Sequence, residues 1–255
     1  MRVTYQAFWL QKAGNQPDEY EDAFAPHAHG DGPCVVPDAH ADFLCAIADG
    51  ATETSFSGLW AQRLVDAFVT RRLERITPNT VRDLAGEWRA AIAERTRAKP
   101  LPWYAEDKLQ KGAFATLTGL HVRADGWWTA LCIGDSCVVQ LRPGAWIKSF
   151  PFSEPSHFNN SPLLWSTNTA QNTCVAPQRT HGKWKPGDYF LLMTDALAHY
   201  FLSDQTVREL IHQGLDQESF EAVIQAARHD KLCKNDDVTL LTVHPGARAE
   251  SGDVA

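Results

Sequence analysis

The sequence predicts an α+β fold. Apolar runs of strand length fall in blocks, at residues 3–10, 43–48, 114–142, 189–195 and 236–244. Amphipathic helical patterns fall in blocks between them, with no strict strand–helix alternation of the kind that builds a parallel sheet. With 44% hydrophobic residues and nine Trp, a chain of 255 residues can bury one substantial core.

The elements follow in order. Residues 3–10 read as a first strand, since the N-terminus lacks the charged stretch, apolar stretch and cleavage site of a signal peptide. Residues 25–42 are a Gly/Pro-rich loop. The run 43–48 is apolar throughout, as a strand buried on both faces requires. Residues 57–72 carry Leu59, Ala61, Leu64, Val65, Phe68 and Val69 at helical spacing, and 80–98 repeat the pattern with Thr80 as its expected N-cap. From 114 to 142, apolar strands alternate with turn signals and predict antiparallel hairpins. Of Trp127 and Trp128, adjacent on such a strand, one is expected to face the core. Residues 150–185 are irregular, and a stretch that long usually carries function. Two short helices are expected at 204–213 and 217–229, then a closing strand. One domain over 1–246 is expected, with a flexible tail at 247–255.

Composition excludes some functions. A net charge of −7 argues against non-specific nucleic-acid binding. No apolar run reaches the length of a membrane span. Six cysteines without a CxxC pair predict reduced thiols and a cytoplasmic setting. There is no GxSxG, Walker A or GxGxxG motif.

Five aspartates stand where apolar strands meet turns: Asp22, Asp49, Asp135, Asp195 and Asp236. Any one of them alone reads as a turn or cap residue. Gathered at one sheet edge, they would repel each other and need counter-charge. Carboxylates are hard oxygen donors suited to Mg²⁺ or Mn²⁺. Two such ions about 3.5–4 Å apart lower the pKa of a shared water toward roughly 7, giving a nucleophile for phosphorus.

The segments EDAFA (21–25), AIADGATE (46–53), CIGDSCV (132–138), GDYFLLMTDAL (187–197) and NDDVTLL (235–241) resemble, in the same order, the motifs of the PP2C-type, metal-dependent serine/threonine protein phosphatases. The resemblance spans residues 3–243. It implies a four-layer αββα sandwich, with two antiparallel sheets face to face and helices outside. It implies a binuclear Mn²⁺ or Mg²⁺ centre held by Asp22, Asp49, the Gly50 carbonyl, Asp195 and Asp236, with Asp49 bridging. Asp135 matches a residue of a looser third metal site, and Glu21 an acid that holds metal-bound water. The implied chemistry is attack by a bridging hydroxide on phosphoserine or phosphothreonine. The implied partners are phosphoprotein substrates of a Ser/Thr kinase, with the phosphatase signalling as a monomer.

The chain departs from the family pattern in three places. Pro17 stands where many members carry a phosphate-gripping arginine, a role for which Lys12 or Arg63 is a substitute. Ala51–Thr52 follows Asp–Gly in place of Gly–Gly or His, and Asp195–Ala196 replaces Asp–Gly. These departures keep open a degenerate, metal-binding regulatory module with little activity. A further alternative is a zinc hydrolase using His27 and His29, whose HAHGDG segment resembles a zinc motif but lacks its final histidine.

Overall fold

The computed structural model describes residues 1–27, 32–37, 42–52, 54–97, 109, 111–158 and 162–246. The expected tail at 247–255 lies outside them. Among the described residues, two large antiparallel sheets stack between two layers of helices.

The first sheet holds β1 (Arg2–Leu10), β3 (Cys34–Val36), β8 (Cys137–Arg142), β9 (Ala145–Phe150), β12 (Tyr189–Met193) and β13 (Val238–Gly246), in the order β3-β1-β13-β12-β8-β9. The second holds β2 (Ala23–Ala25), β4 (Asp42–Ala48), β6 (Leu117–Arg123), β7 (Trp127–Ile133) and β11 (Gln178–Lys183), in the order β11-β7-β6-β4-β2. A small ribbon pairs β5 (Phe114–Ala115) with β10 (Trp165–Ser166).

Side chains from the two inner faces form the middle of the sandwich, among them Ile47, Leu120, Trp128, Phe190, Leu192 and Leu241. Helices α1 (Ser57–Val69) and α2 (Pro78–Arg97) cover the second sheet. Helices α3 (Asp195–Ser203), α4 (Gln205–Gln213) and α5 (Gln217–His229) cover the first. β4 is therefore enclosed on both faces, which is why its run lacks alternation. Trp128 faces the core and Trp127 is exposed, as alternation along the strand requires.

Four local expectations differ from the structure. β7 and β8 do not pair; the chain passes from the second sheet to the first through Gly134, Asp135 and Ser136. Gly134 permits this because it adopts φ +90°, and a Cβ there would lie 2.6 Å from the Thr116 side chain. The N-cap of α2 is Thr77 rather than Thr80. Thr80 N–H donates to Thr77 Oγ1 at 3.1 Å, and Thr77 N–H donates back to Thr80 Oγ1 at 3.3 Å. Asp195, read as the end of a strand, instead opens a helix that runs to Ser203 through residues given no element in the sequence reading. Finally, β3 lies in the Gly/Pro-rich loop, and β10 and β11 lie in the stretch read as irregular.

Candidate active site

Strand register brings the acids together. Ala23 pairs with Ala48 across β2 and β4, so one step further sets Asp22 beside Asp49. In the first sheet, Met193 pairs with both Leu240 and Cys137. The chain ends just beyond those pairs carry Asp195, Asp236 and Asp135. Thr239 Oγ1 then links the two sheets by donating to Asp22 Oδ2 at 2.7 Å. All five aspartates singled out in the sequence thus come to one edge of the sandwich, close enough that Asp22, Asp195, Asp135 and Asp236 each disfavour the charged form of Asp49.

Neighbouring backbone holds this edge in place. Asp49 N–H donates to Thr116 Oγ1 at 2.8 Å, and Thr116 N–H donates to the Asp49 carbonyl at 2.9 Å. Gly50 is buried where a Cβ would lie 2.6 Å from the Glu21 carbonyl oxygen and 2.8 Å from the Ser57 carbonyl carbon. Glu21 Oε1 accepts from the Ser57 hydroxyl. Phe56, just before α1, has φ +61°, and its carbonyl accepts Trp88 Nε1–H at 3.1 Å. A non-glycine residue in that region costs energy and persists only where its surroundings fix it.

Asp237, adjacent to Asp236, serves differently. Its two oxygens accept the backbone N–H groups of Lys12 and Glu21, each at 2.7 Å, and tie the end of β1 to the start of the acid edge. Sequence reasoning missed Asp237, Thr239 and Thr116. The only signal for them was that Asp237 and Thr239 share a segment with Asp236.

Burial pushes the Asp22 carboxyl well above the usual range, and Asp237 and Asp195 add to the rise while the Thr239 and Thr194 hydroxyls oppose it. Asp49 is raised by burial and then by its four acidic neighbours. Asp135 is pushed up to about 7 by burial and by Asp195. Glu21 and Asp195 are raised too, burial leading in each case. A basic residue that sequence reasoning overlooked also stands here: Lys234 Nζ lies 2.6 Å from Asp236 Oδ2 and 3.6 Å from Asp195 Oδ2.

The other sequence candidates sit further out. Lys12 is held beside the edge by its backbone bond to Asp237. Arg63 lies on α1 near Glu87 of α2, whose carboxyl is lowered chiefly by its hydrogen bonds to Arg72 and only secondarily by the Arg63 charge. His27 is exposed, with its ring 3.3 Å from Gln62 Nε2 and 4.0 Å from Asp66; His29 lies outside the described residues. A cleft of about 610 Å³ opens beside Glu21, Asp22 and Thr52, with Asp18, Glu19 and Arg95 of α2 also among its walls.

The donor set suits a hard divalent cation. Asp22 Oδ1 is buried and has no hydrogen-bond partner among the described residues, and Asp22 as a whole is only 6% exposed. A buried, unpartnered carboxylate oxygen among other carboxylates calls for positive charge. Among the described residues, no three acidic, His or Cys side chains close into a ligand shell as they stand.

Residues 21–232 match the protein phosphatase 2C family. The chain belongs to that family. Membership places it in an enzyme class, the protein phosphatases. No curated protein matches it by sequence. Among solved structures, it is similar to the Mycobacterium tuberculosis serine/threonine phosphatase PstP/Ppp, with 21% identity over 96% of this chain and 100% of that one and a TM-score of 0.59. It is similar to the catalytic domain of PstP in complex with two manganese ions, at 20% identity over 96% and 99%, TM-score 0.55. It is also similar to PppA, a regulatory component of the type VI secretion system in Pseudomonas aeruginosa, at 17% identity over 95% and 97%, TM-score 0.56. At these identities the likeness is one of fold, and it is the αββα sandwich of this 2C-family phosphatase.

Proposed function

We propose that this 2C-family protein is a metal-dependent serine/threonine phosphatase whose acid edge holds two Mn²⁺ or Mg²⁺ ions. The observation that carries the reading is the gathering of Asp22, Asp49, Asp195 and Asp236 from distant segments around the unpartnered Asp22 Oδ1. These four side chains and the Gly50 carbonyl would hold the ions, with Asp135 available to a third and Glu21 to a bound water. Bound there, the ions supply positive charge for the phosphoryl oxygens and a water acidic enough to attack phosphorus.

The protein's own groups set the conditions. A cleft walled by Asp18, Glu19, Glu21 and Asp22 repels a phosphoryl group. Binding therefore depends on cations, and Arg95 on the cleft wall joins Lys12 and Arg63 as a candidate for the grip that Pro17 cannot give. No nucleophilic cysteine is needed, and the six cysteines are free thiols. We take residues 1–246 as one catalytic domain that works as a monomer on phosphoproteins made by a Ser/Thr kinase, in a signalling role. Free thiols suit a cytoplasmic setting. No described helix is long and apolar enough to cross a membrane.

The test is hydrolysis of p-nitrophenyl phosphate and of phosphoserine, phosphothreonine and phosphotyrosine peptides, with Mn²⁺ and an Asp49→Asn control. Turnover of the first two peptides, lost on addition of EDTA and in the control, is the expected result. A wild type no faster than Asp49→Asn overturns the enzyme reading and leaves the metal-binding regulatory module. Metal analysis of the purified protein, with His27→Ala, separates the zinc alternative.

A further inference from the structure

Lys234 lies in the short turn between α5 and β13, two residues before Asp236. The turn is firmly built. Lys231 enters it at φ +61°, Cys233 N–H donates to the Ala227 carbonyl at 3.1 Å, and Arg228 Nη2 donates to the Asp236 carbonyl at 2.5 Å. The ammonium that results from this geometry faces two carboxylates at once, Asp236 at 2.6 Å and Asp195 at 3.6 Å. An exposed lysine paired with a single carboxylate contributes little. A lysine set between two half-buried carboxylates relieves their repulsion as well as pairing with each.

The two halves of the acid edge therefore differ. On the Asp22–Asp49 side, the described groups with the largest effect on Asp49 are all carboxylates. On the Asp195–Asp236 side, Lys234 leads the groups that favour the charged form of Asp195. Its side chain is 60% exposed, so it can swing into solvent. An ammonium on a flexible stem does this readily, where a planar guanidinium locked onto two carboxylates would not.

We propose that Lys234 is a resident counter-ion of the Asp195–Asp236 pair, a positioning residue that a divalent cation must displace to bind that half of the site. The inference rests on the metal reading above and deepens it. The ion at the Asp22–Asp49 side meets only the weaker attraction of Lys234 for Asp49, and the other binds directly against Lys234. Full loading then needs more free metal than the first ion alone.

The test is calorimetric titration of the full chain with Mn²⁺, for wild type, Lys234→Gln, Lys234→Arg and Asp49→Asn. Two classes of site are expected in the wild type. Lys234→Gln is expected to tighten the weaker class about tenfold, the scale of one removed competing charge at a partly buried site, and to leave the stronger class unchanged. Lys234→Arg, which keeps the charge, is expected to match or weaken the wild-type affinity. A second measurement needs no metal. In EDTA, Lys234→Gln is expected to lower Tm, and adding Asp236→Asn to restore it, because removing one of the two carboxylates removes the repulsion. Two-site binding that ignores Lys234→Gln overturns the displacement alone. Absence of Mn²⁺ binding in the wild type overturns the metal reading and this proposal together. Absence of the Tm coupling in EDTA overturns the counter-ion role whatever the metal does.

Discussion

At Gly50 the chain leaves no space for a side chain. All the nearest atoms to an added Cβ are backbone: the Glu21 carbonyl oxygen at 2.6 Å, the Ser57 carbonyl carbon at 2.8 Å and the Gly58 nitrogen at 3.0 Å. None can rotate away, so Gly50→Ala is expected to cost about 1–3 kcal/mol and to push Asp49 away from Asp22. Urea unfolding and p-nitrophenyl phosphate turnover check the two effects, and activity is expected to fall further than stability explains. Asp22→Asn acts in the opposite sense on stability. Burial and acidic neighbours disfavour the charge on Asp22, so the neutral amide is expected to raise Tm in EDTA and to abolish the further rise caused by Mn²⁺. Thermal scans of both proteins, with and without Mn²⁺, read this directly. The aspartates were legible in the sequence because each stands where an apolar run meets a turn. Asp236 and Asp237 could not be told apart that way, and only the structure shows Asp237 bracing two backbone amides. Lys234 was passed over because its meeting with Asp195 depends on packing between α3 and the turn before β13.

Among the elements, α1 shows why the helices of the second sheet were readable. Trp60, Ala61, Leu64 and Val65 are fully buried on one stripe, and Trp60 Nε1–H also reaches the Trp165 carbonyl at 2.9 Å. Trp60→Ala is expected to cost about 3–5 kcal/mol, measured by urea denaturation, since both packing and that bond are lost. By contrast, α3 carries Ala196, Leu197, Ala198, Tyr200, Phe201 and Leu202 buried almost all round. A helix without a polar face has no stripe to read, and it runs on from an equally apolar β12. The turn at Gly134 to Ser136 misled for another reason. A hairpin and a crossing between sheets use the same small and glycine residues, and what separates them is which partners the strands find in three dimensions.

For the molecule as a whole, the block pattern of strands and helices was enough to give an α+β class, but the stacking of two sheets entered through family resemblance. One buried polar group fastens that stack. Gln140 on β8 accepts Trp128 Nε1–H of β7 at 3.0 Å and donates to Asp188 at 2.8 Å, while Arg142 Nε donates to Asp188 at 2.5 Å. Burial would raise the Asp188 carboxyl, but Arg142, the Lys185 amide and Gln140 outweigh it and hold the group below its ordinary value. With its folded pKa depressed, Asp188 contributes stability above the ordinary carboxylate value of about 4, and that contribution is lost as pH falls through the folded value. Tm measured from pH 7 to pH 3 is expected to fall more steeply for the wild type than for Asp188→Asn, the two converging at the acid end.

The clustered acids come from strand ends in both layers, and Asp135 rides on the segment that passes between them. Shear of one layer over the other by a single residue, about 3.3 Å along a strand, would part Asp22 from Asp195 while leaving the ladders within each layer whole. Turnover is thus a gauge of interlayer slip, and hydrostatic pressure should silence it before circular dichroism registers any loss of strand.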